Sequence, residues 1–288
     1  MADQRLLQYV GREQRVRDIV ARRRIEELAA LFDFETDELL GDDGRIPPLT
    51  HWLFFNHWPP RYELGTDGHP KRGDFMPPIA LPRRMFAGGR LQFLQPVRLG
   101  DDLERITTIQ SILEKTGASG PLVFVTLQDE IRTEGGTAIL EERDYVYRAA
   151  TEQRSAESKQ GAKPAEDVPA NAWRQKIDPD PVYLFRFSAL TFNSHRIHYD
   201  RRYTMEEENY PGLIVHGPLQ AMLLTLLVRR NLPHAEIKEF AFRSRRAIFD
   251  GAPFSCVGWR SEQDPRQVEL STRDADGNVC MSANATLR

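Results

Sequence analysis

Cysteine is scarce in this chain of 288 residues, which contains only Cys256 and Cys280. Two cysteines cannot build a disulfide framework, and they lack the spacing of a metal site, so we interpret both as buried, unreactive thiols. An excess of one charge is also lacking, because 39 Lys and Arg oppose 42 Asp and Glu for a net charge of -3. Such a surface has no strong field for nucleic acid or membranes, and we expect small molecules or proteins as partners.

Long apolar runs are missing as well. No stretch approaches the roughly 20 apolar residues that span a bilayer, and the chain does not open with a basic segment followed by an apolar one. We therefore expect a soluble, intracellular, cytoplasmic protein. The chain is long enough for one large domain or two ordinary ones, each with its own core.

The most informative stretch, residues 187–231, ends in an apolar helix. Apolar residues recur there with helical spacing, which predicts a core helix over residues 218–230. Pro218 suits the first turn, and the two arginines at the end suit the negative end of the helix dipole. Near Gly217, unpaired backbone N–H groups and the positive dipole end would stabilise a negatively charged oxygen. We expect an oxyanion site at this helix start.

A polar loop before this helix carries Asn193, His195, Arg196 and His198. Their side chains can converge on one pocket, and imidazole is the group best suited to proton transfer near neutral pH. The alternative is that both histidines only hydrogen-bond to the backbone at a strand end. A metal site formed with His216 is a further alternative, but the sequence indicates no acidic fourth ligand, so no metal is predicted.

Two similar units flank a polar segment. In the first unit, helices are predicted at 12–40 and 47–58, a Gly- and Pro-rich loop at 59–82, and strands at 85–93, 103–113, 122–133 and 138–147. Residues 151–172 have almost nothing to bury and are predicted to be a linker. In the second unit, the helix at 218–230 accompanies strands predicted at 182–190, 237–249, 254–261, 267–273 and 278–287. The sequence predicts an α+β fold with domains 1–150 and 173–288.

The blocks SALTFNSHRIHYD and YPGLIVHGPL resemble the signature of the MaoC-like hydratases and dehydratases, in particular hydroxyacyl-thioester dehydratase type 2. The blocks HWLFFN, ELGTDGHPKRG and PRRMFAGGRLQF extend the resemblance over the N-terminal half. It implies a double hotdog fold, in which two antiparallel sheets each wrap a central helix. It also implies reversible hydration of an enoyl thioester without a cofactor, a degenerate N-terminal unit that lines the acyl pocket, a catalytic C-terminal unit, and a homodimer or higher oligomer.

The resemblance assigns roles to three residues. His198 matches the family histidine that acts on water, and Gly217 matches the glycine whose N–H binds the thioester oxygen. Asn193 stands where the family has Asp. Because an amide cannot be a general base, we expect Asn193 only to position the water, and we favour His198 acting alone over Asp200 as a substitute base.

Six further residues are expected to line the substrate pocket: His195, Arg196, His216, Arg84, Arg90 and Arg245. Guanidinium groups can pair with a second carboxylate. Together with the resemblance, this favours a C5 dicarboxylyl-CoA, itaconyl-CoA or mesaconyl-C4-CoA, hydrated to citramalyl-CoA in itaconate degradation. The alternatives are a 3-hydroxyacyl-thioester dehydratase of fatty-acyl CoA or ACP, a thioesterase, and a non-catalytic acyl-CoA-binding protein. The loop at 59–82 is expected to close over the substrate.

Overall fold

Antiparallel strands dominate the fold. The computed structural model describes residues 4–117, 120–149 and 168–288. Its ten strands are β1 (Glu13–Ile19), β2 (Arg83–Phe93), β3 (Asp102–Gly117), β4 (Gly120–Thr133), β5 (Gly136–Arg148), β6 (Trp173–Ile177), β7 (Ile237–Ser244), β8 (Phe254–Arg260), β9 (Gln267–Arg273) and β10 (Val279–Leu287). They form one sheet in the order β1-β3-β4-β5-β2-β7-β10-β9-β8-β6.

The helices are few and mostly short. In the described part of the chain the α-helices are α1 (Gln4–Leu7), α2 (Arg22–Phe32), α3 (Thr36–Leu39), α4 (Pro181–Leu190), α5 (Arg201–Glu206) and α6 (Gly217–Asn231). Short 3-10 helices lie at Thr50–Leu53, Arg61–Glu63 and Arg196–His198. None of the described helices is both long and apolar enough to cross a membrane.

The sheet has two halves that correspond to the two halves of the chain. Strands β1 to β5 form one half and β6 to β10 the other, and pairing from Gly88↔Arg243 to Gln92↔Glu239 joins them. A Cβ at Gly88 would lie only 2.5 Å from the backbone oxygen of Phe242, so glycine permits this close contact. The two sheets that the sequence predicts are therefore continuous.

Each half combines strands with a helix in a shared apolar core. Helix α6 is buried at every position from Leu219 to Val228 and contacts β6, β8, β9 and β10. Helix α2 buries Ile25 and Leu28 in the same core. Each fully buried large apolar side chain contributes about 1.5–3 kcal/mol, so these faces fix both helices. The double hotdog arrangement is confirmed, and the helix predicted at 218–230 is confirmed to within one residue at each end.

Three predictions of local structure are wrong. Residues 12–40 are not one helix, because Glu13–Ile19 alternates in exposure and pairs with β3 as the edge strand β1. Residues 182–190 belong to helix α4 rather than a strand. That helix is started by Pro181 in its first turn and by Asp180, whose side chain accepts a hydrogen bond from the Tyr183 N–H. Within 47–58, only Thr50–Leu53 is helical.

The predicted linker at 151–172 lies mostly outside the described residues. Strand β6 starts at Trp173, directly after the predicted linker, and β5 ends at Arg148, three positions before its first residue. The domain limits at 150 and 173 stay a prediction.

Candidate active site

Residues 191–200, called the His loop below, connect α4 to α5. Phe192 has a positive φ of 50°, which turns the chain after α4. The Asn193 side-chain oxygen accepts a hydrogen bond from the His195 N–H at 3.0 Å, and a 3-10 turn at Arg196–His198 follows. Asn193 therefore shapes the loop through a local side chain to backbone bond, which is a common use of asparagine in turns.

His198 is the buried imidazole of the His loop, with a relative exposure of 7%. Its Nδ1 lies 2.7 Å from the Ile214 carbonyl oxygen, and Nδ1 donates in this bond because a carbonyl can only accept. Nε2 is therefore the nitrogen with the free lone pair. Burial, with a smaller contribution from His69 and against the Ile214 hydrogen bond, lowers the pKa of His198 to about 4. A neutral ring of this kind can accept a proton from water.

Four imidazoles follow one another in space, and we call them the imidazole row: His69, His195, His198 and His216. Successive ring centroids lie 3.9, 5.5 and 3.6 Å apart in that order. Burial is the main cause that lowers the pKa of each ring. The rings of the row are therefore neutral at neutral pH, and each has one nitrogen without a proton.

His216 does not line the substrate pocket as expected, because its side chain is completely enclosed. It is 1% exposed, stacks on His198, and its Nε2 lies 2.8 Å from the Ser188 hydroxyl. Ser188 belongs to α4, so the helix that replaces the predicted strand anchors His216 through this hydrogen bond. His216 supports the His198 ring by stacking on it.

Gly217 is the first residue of α6, as the sequence predicts. Its N–H lies in the first turn and has no intrahelical acceptor. A Cβ built on Gly217 would meet only Phe86 at 3.6 Å and the Ser244 hydroxyl at 3.8 Å. Phe86 lies on β2 and Ser244 on β7, so the helix start faces both halves of the chain. A thioester oxygen placed there would be next to an N–H donor and the positive dipole end.

Residues 65–70 of the N-terminal half, called the DGH loop below, pack directly on the His loop. Gly68 has φ of 87°, and a Cβ on it would lie 1.9 Å from the Ser194 backbone oxygen. The Ser194 hydroxyl donates to the Gly68 carbonyl at 2.5 Å, and the Arg196 N–H donates to the Asp67 carbonyl at 2.9 Å. Only glycine fits this contact, and it fixes the two loops against each other.

The DGH loop adds a carboxylate and an imidazole that the sequence analysis missed. His69 Nδ1 lies 3.0 Å from the Asp67 carboxylate, which also accepts the His69 backbone N–H at 3.0 Å. Burial raises the pKa of Asp67, but the His69 contacts outweigh it and bring the pKa below its usual range. Burial and the charge of Arg84 lower the pKa of His69 to about 4, against the effect of Asp67. The sequence feature that could have indicated these two residues is the motif TDGH at 66–69 inside an unusually long predicted loop.

These residues also have the spacing of a possible metal site. Ligand atoms of Asp67, His69 and His195 lie within 4.8 Å of one another. One carboxylate and two imidazoles could bind a divalent cation. The hydrogen bond between Asp67 and His69 accounts for this grouping without a metal.

Arg90 and Arg245 lie away from the site, contrary to expectation. Arg90 is exposed and forms ion pairs with Glu142 and Asp144. A bulge between Phe86 and Gly88 reverses the face of β2 on which later side chains lie. Arg245 is also exposed and donates to the Ser282 hydroxyl. Both arginines belong to the outer surface of the sheet.

Arg196 has a structural role instead of the expected contact with substrate. Its guanidinium donates to the Asp200 carboxylate at 2.8 Å and to the Thr66 carbonyl at 3.0 Å, and lies 4.0 Å from the Tyr203 ring centroid. It therefore ties the DGH loop to the His loop. Asp200 is engaged by this ion pair and by capping α5, which argues against Asp200 as a substitute base.

Of the four arginines predicted to line the pocket, Arg84 is the one whose charge acts on the imidazole row. It shares a face of β2 with Phe86, because side chains two residues apart on a strand point the same way. Its guanidinium is half-buried, 5.4 Å from the Tyr145 ring centroid, and its charge lowers the pKa of His69 and His195. Within residues 4–117, 120–149 and 168–288, no carboxylate forms an ion pair with Arg84 at 4.0 Å or less.

Comparison with known proteins identifies the family of the chain. The family model described as hydroxyacyl-thioester dehydratase type 2 matches residues 49–250. Mesaconyl-C(4)-CoA hydratase of Chloroflexus aurantiacus is 42% identical over 279 residues, 97% of this chain and 96% of that protein. The mitochondrial hydroxyacyl-thioester dehydratase type 2 of Schizosaccharomyces pombe is 26% identical over 257 residues, 80% and 83% of the two chains. A solved MaoC-like dehydratase, 14% identical, superposes with a TM-score of 0.73 over 98% of this chain and 99% of its own.

The fold is that of a MaoC-like dehydratase, and the family model together with the 42% identical hydratase identifies an enzyme of the hydro-lyase class. The chain belongs to the hydroxyacyl-thioester dehydratase type 2 family. The resemblance seen in the sequence is confirmed.

Proposed function

We propose that the protein is an acyl-CoA hydratase that adds water to a C5 dicarboxylyl-CoA, mesaconyl-C4-CoA or itaconyl-CoA, and forms citramalyl-CoA. The relative that is 42% identical carries the name mesaconyl-C(4)-CoA hydratase, which supports the reaction type. The observation that carries the dicarboxylyl substrate is Arg84, a half-buried cation beside the imidazole row without an ion-pair partner in the described ranges.

The mechanism follows from Gly217 and His198. In mesaconyl-C4-CoA the double bond is conjugated with the thioester, so attack of water on C3 moves negative charge onto the thioester oxygen. The Gly217 N–H and the start of α6 stabilise that charge, and one such donor contributes about 2.7–4 kcal/mol. His198 Nε2 takes one proton from the attacking water and returns it to C2. The product gains the elements of one water molecule, and the imidazole ends neutral.

In this proposal, Arg84 binds the second carboxylate of the substrate. Phe86, on the same face of β2, lies 3.6 Å from a Cβ built on Gly217, and its ring centroid lies 5.5 Å from that of Tyr145. Tyr145 in turn contacts Arg84. These contacts support an acyl chain that runs from the thioester at Gly217 past Phe86 toward the guanidinium, where the proposed carboxylate would form a charge-assisted pair.

The test is a panel of CoA esters: mesaconyl-C4, itaconyl, crotonyl and a longer 2-enoyl ester, with product mass and free CoA measured together. We expect hydration of the dicarboxylyl esters and little reaction with crotonyl-CoA. Hydration of the monocarboxylic esters alone would overturn the substrate assignment. Release of free CoA without hydration would identify a thioesterase instead.

The Arg84→Gln variant tests the carboxylate contact. A hydrogen bond to a charged group is worth about 1.5–3 kcal/mol, so kcat/KM for mesaconyl-C4-CoA should fall roughly 10- to 150-fold. Activity on crotonyl-CoA, however low, should not change. Arg266→Gln, in an exposed ion pair with Asp264, is the matched control and should behave like wild type. An equal loss on both substrates would show that Arg84 supports the site and does not recognise the carboxylate.

A further inference from the structure

The hydration site needs a counter-charge that its own loop does not supply. When an imidazole takes a proton from water, the row becomes positively charged. Asn193 cannot ionise, and its oxygen already accepts the His195 N–H. His198 Nδ1 donates to the neutral carbonyl of Ile214. The carboxylate of the His loop, Asp200, is held in an ion pair with Arg196 and caps α5, so it does not supply a negative charge to the protonated row.

A carboxylate does contact the row, at the end contributed by the N-terminal half. Among the residues of the described ranges, Asp67 is the carboxylate bonded to a ring of the row, at 3.0 Å from His69 Nδ1. His69 in turn lies 3.9 Å from His195 between centroids, and His195 lies 5.5 Å from His198. The side chains of Asp67 and His69 are only 26% and 17% exposed, so solvent screens the charge of the Asp67 carboxylate less than it would at the surface.

Backbone contacts between the two loops fix the position of Asp67 and His69. The Asp67 carbonyl accepts the Arg196 N–H, and the Gly68 backbone touches Ser194 closely enough to exclude any side chain. The Asp67 carboxylate is bound twice by His69, at its backbone N–H and at Nδ1, which fixes the tautomer of the ring. The pair is therefore held against the His loop in one geometry.

We infer that Asp67, acting through His69, is a positioning residue of the hydration site and supplies the negative charge that stabilises the proton taken up by the imidazole row. The inference rests on the proposed hydratase function. No further reactant is needed, because the proton removed from water at His198 returns to C2 within the same turnover. The active site is thus completed by the half of the chain that lacks the His loop.

The test compares Asp67→Asn, His69→Asn and the double variant on mesaconyl-C4-CoA. Asp67→Asn keeps an oxygen for the His69 backbone N–H and removes the charge, whereas His69→Asn keeps a donor toward Asp67 and removes the ring. Full acid–base assistance contributes about 100- to 10,000-fold, and the pair acts on it only through neighbouring rings, so each variant should lower kcat at least roughly 10-fold with KM nearly unchanged. The double variant should lose no more than either single one, because two residues that act as a unit are not additive.

Two further variants separate this role from a structural one. Asp67→Glu restores the charge and should recover part of kcat, and Asp43→Asn, in an exposed ion pair with Arg98, should leave kcat unchanged. The thermal midpoint of every variant is measured alongside, and a variant that does not fold is set aside in favour of Asp67→Glu. Unchanged kcat in folded Asp67→Asn, or an increase in KM alone, would overturn the inference.

The metal alternative is tested on the wild-type enzyme. We expect no stoichiometric metal by elemental analysis and full activity after treatment with EDTA. Activity that is lost with EDTA and restored by Zn²⁺ would overturn the inference and make Asp67, His69 and His195 a metal site. A wild-type enzyme that hydrates no ester of the panel would refute the proposed function itself, which is a different outcome from an active enzyme insensitive to Asp67→Asn.

Discussion

Hydration should keep nearly its full rate in mild acid, where an ordinary histidine base would already be protonated. The comparison is between the hydration rates at pH 7.5 and pH 5.5. His198 is 7% exposed, and burial lowers its pKa to about 4. At pH 5.5, about 97% of such rings are neutral, whereas an imidazole with a pKa of about 6.5 would be neutral in about 9% of molecules.

The direction of the change in activity with pH depends on which protonation state of His198 is active. A ring that takes a proton from water must be neutral, so activity is present above the pKa of the folded protein and is lost as the pH falls through about 4. The pH dependence of kcat/KM reports the free enzyme. It is therefore the kinetic quantity to compare with the ligand-free structure.

The assay measures kcat/KM for mesaconyl-C4-CoA at pH 7.5, 6.5 and 5.5 at constant ionic strength. We expect less than about a twofold change, since the neutral fraction of His198 barely alters. Circular dichroism at each pH confirms that the protein is folded. A decrease of about tenfold between pH 7.5 and 5.5 in folded protein would refute the assignment, because the base would then have an ordinary pKa.

Two further predictions concern stability and the contact between the loops. His198 has a lower pKa in the folded protein (about 4) than when unfolded (about 6.5), so its contribution to stability is present above pH 6.5 and is lost as the pH falls toward 4. Between pH 7.5 and 5.0 this loss amounts to roughly 2 kcal/mol of the free energy of unfolding. Measured by urea unfolding, the free energy of unfolding of His198→Asn should therefore fall by about 2 kcal/mol less over this pH range than that of wild type. An equal fall in both proteins would contradict the prediction. Gly68→Ala should lower kcat/KM more than about tenfold by separating the DGH and His loops. The control is Gly44→Ala, also at positive φ (76°) but with no atom within 4 Å of the new Cβ, which should cost about 1–2 kcal/mol of stability and keep activity. Equal decreases in kcat/KM for the two variants would argue against the contact between the DGH and His loops.

Local signals in the sequence were sufficient for the C-terminal half of the site. Helical periodicity, Pro218 and the terminal arginines determine α6 and place Gly217 at its start. His195 and His198 follow from one short motif. Where two local signals competed, the sequence was misread: in 182–190 the capping by Asp180 and Pro181 prevails over aromatic and β-branched composition, and a helix forms. The edge strand β1 was missed because its alternation covers only seven residues.

The sequence by itself determined the His loop and the helix start, because each depends on residues that are close together in the chain, and its resemblance to a known family implied the double hotdog fold. Only the tertiary structure decided which side chains meet across the two halves. The DGH loop and the His loop are in contact although Gly68 and Ser194 are 126 residues apart, and no local periodicity encodes such a pairing. In the same way, a single bulge in β2 keeps Arg84 with the site and places Arg90 outside it. Burial, which also depends on the whole fold, makes His216 a support for His198 and lowers the pKa of every ring in the row.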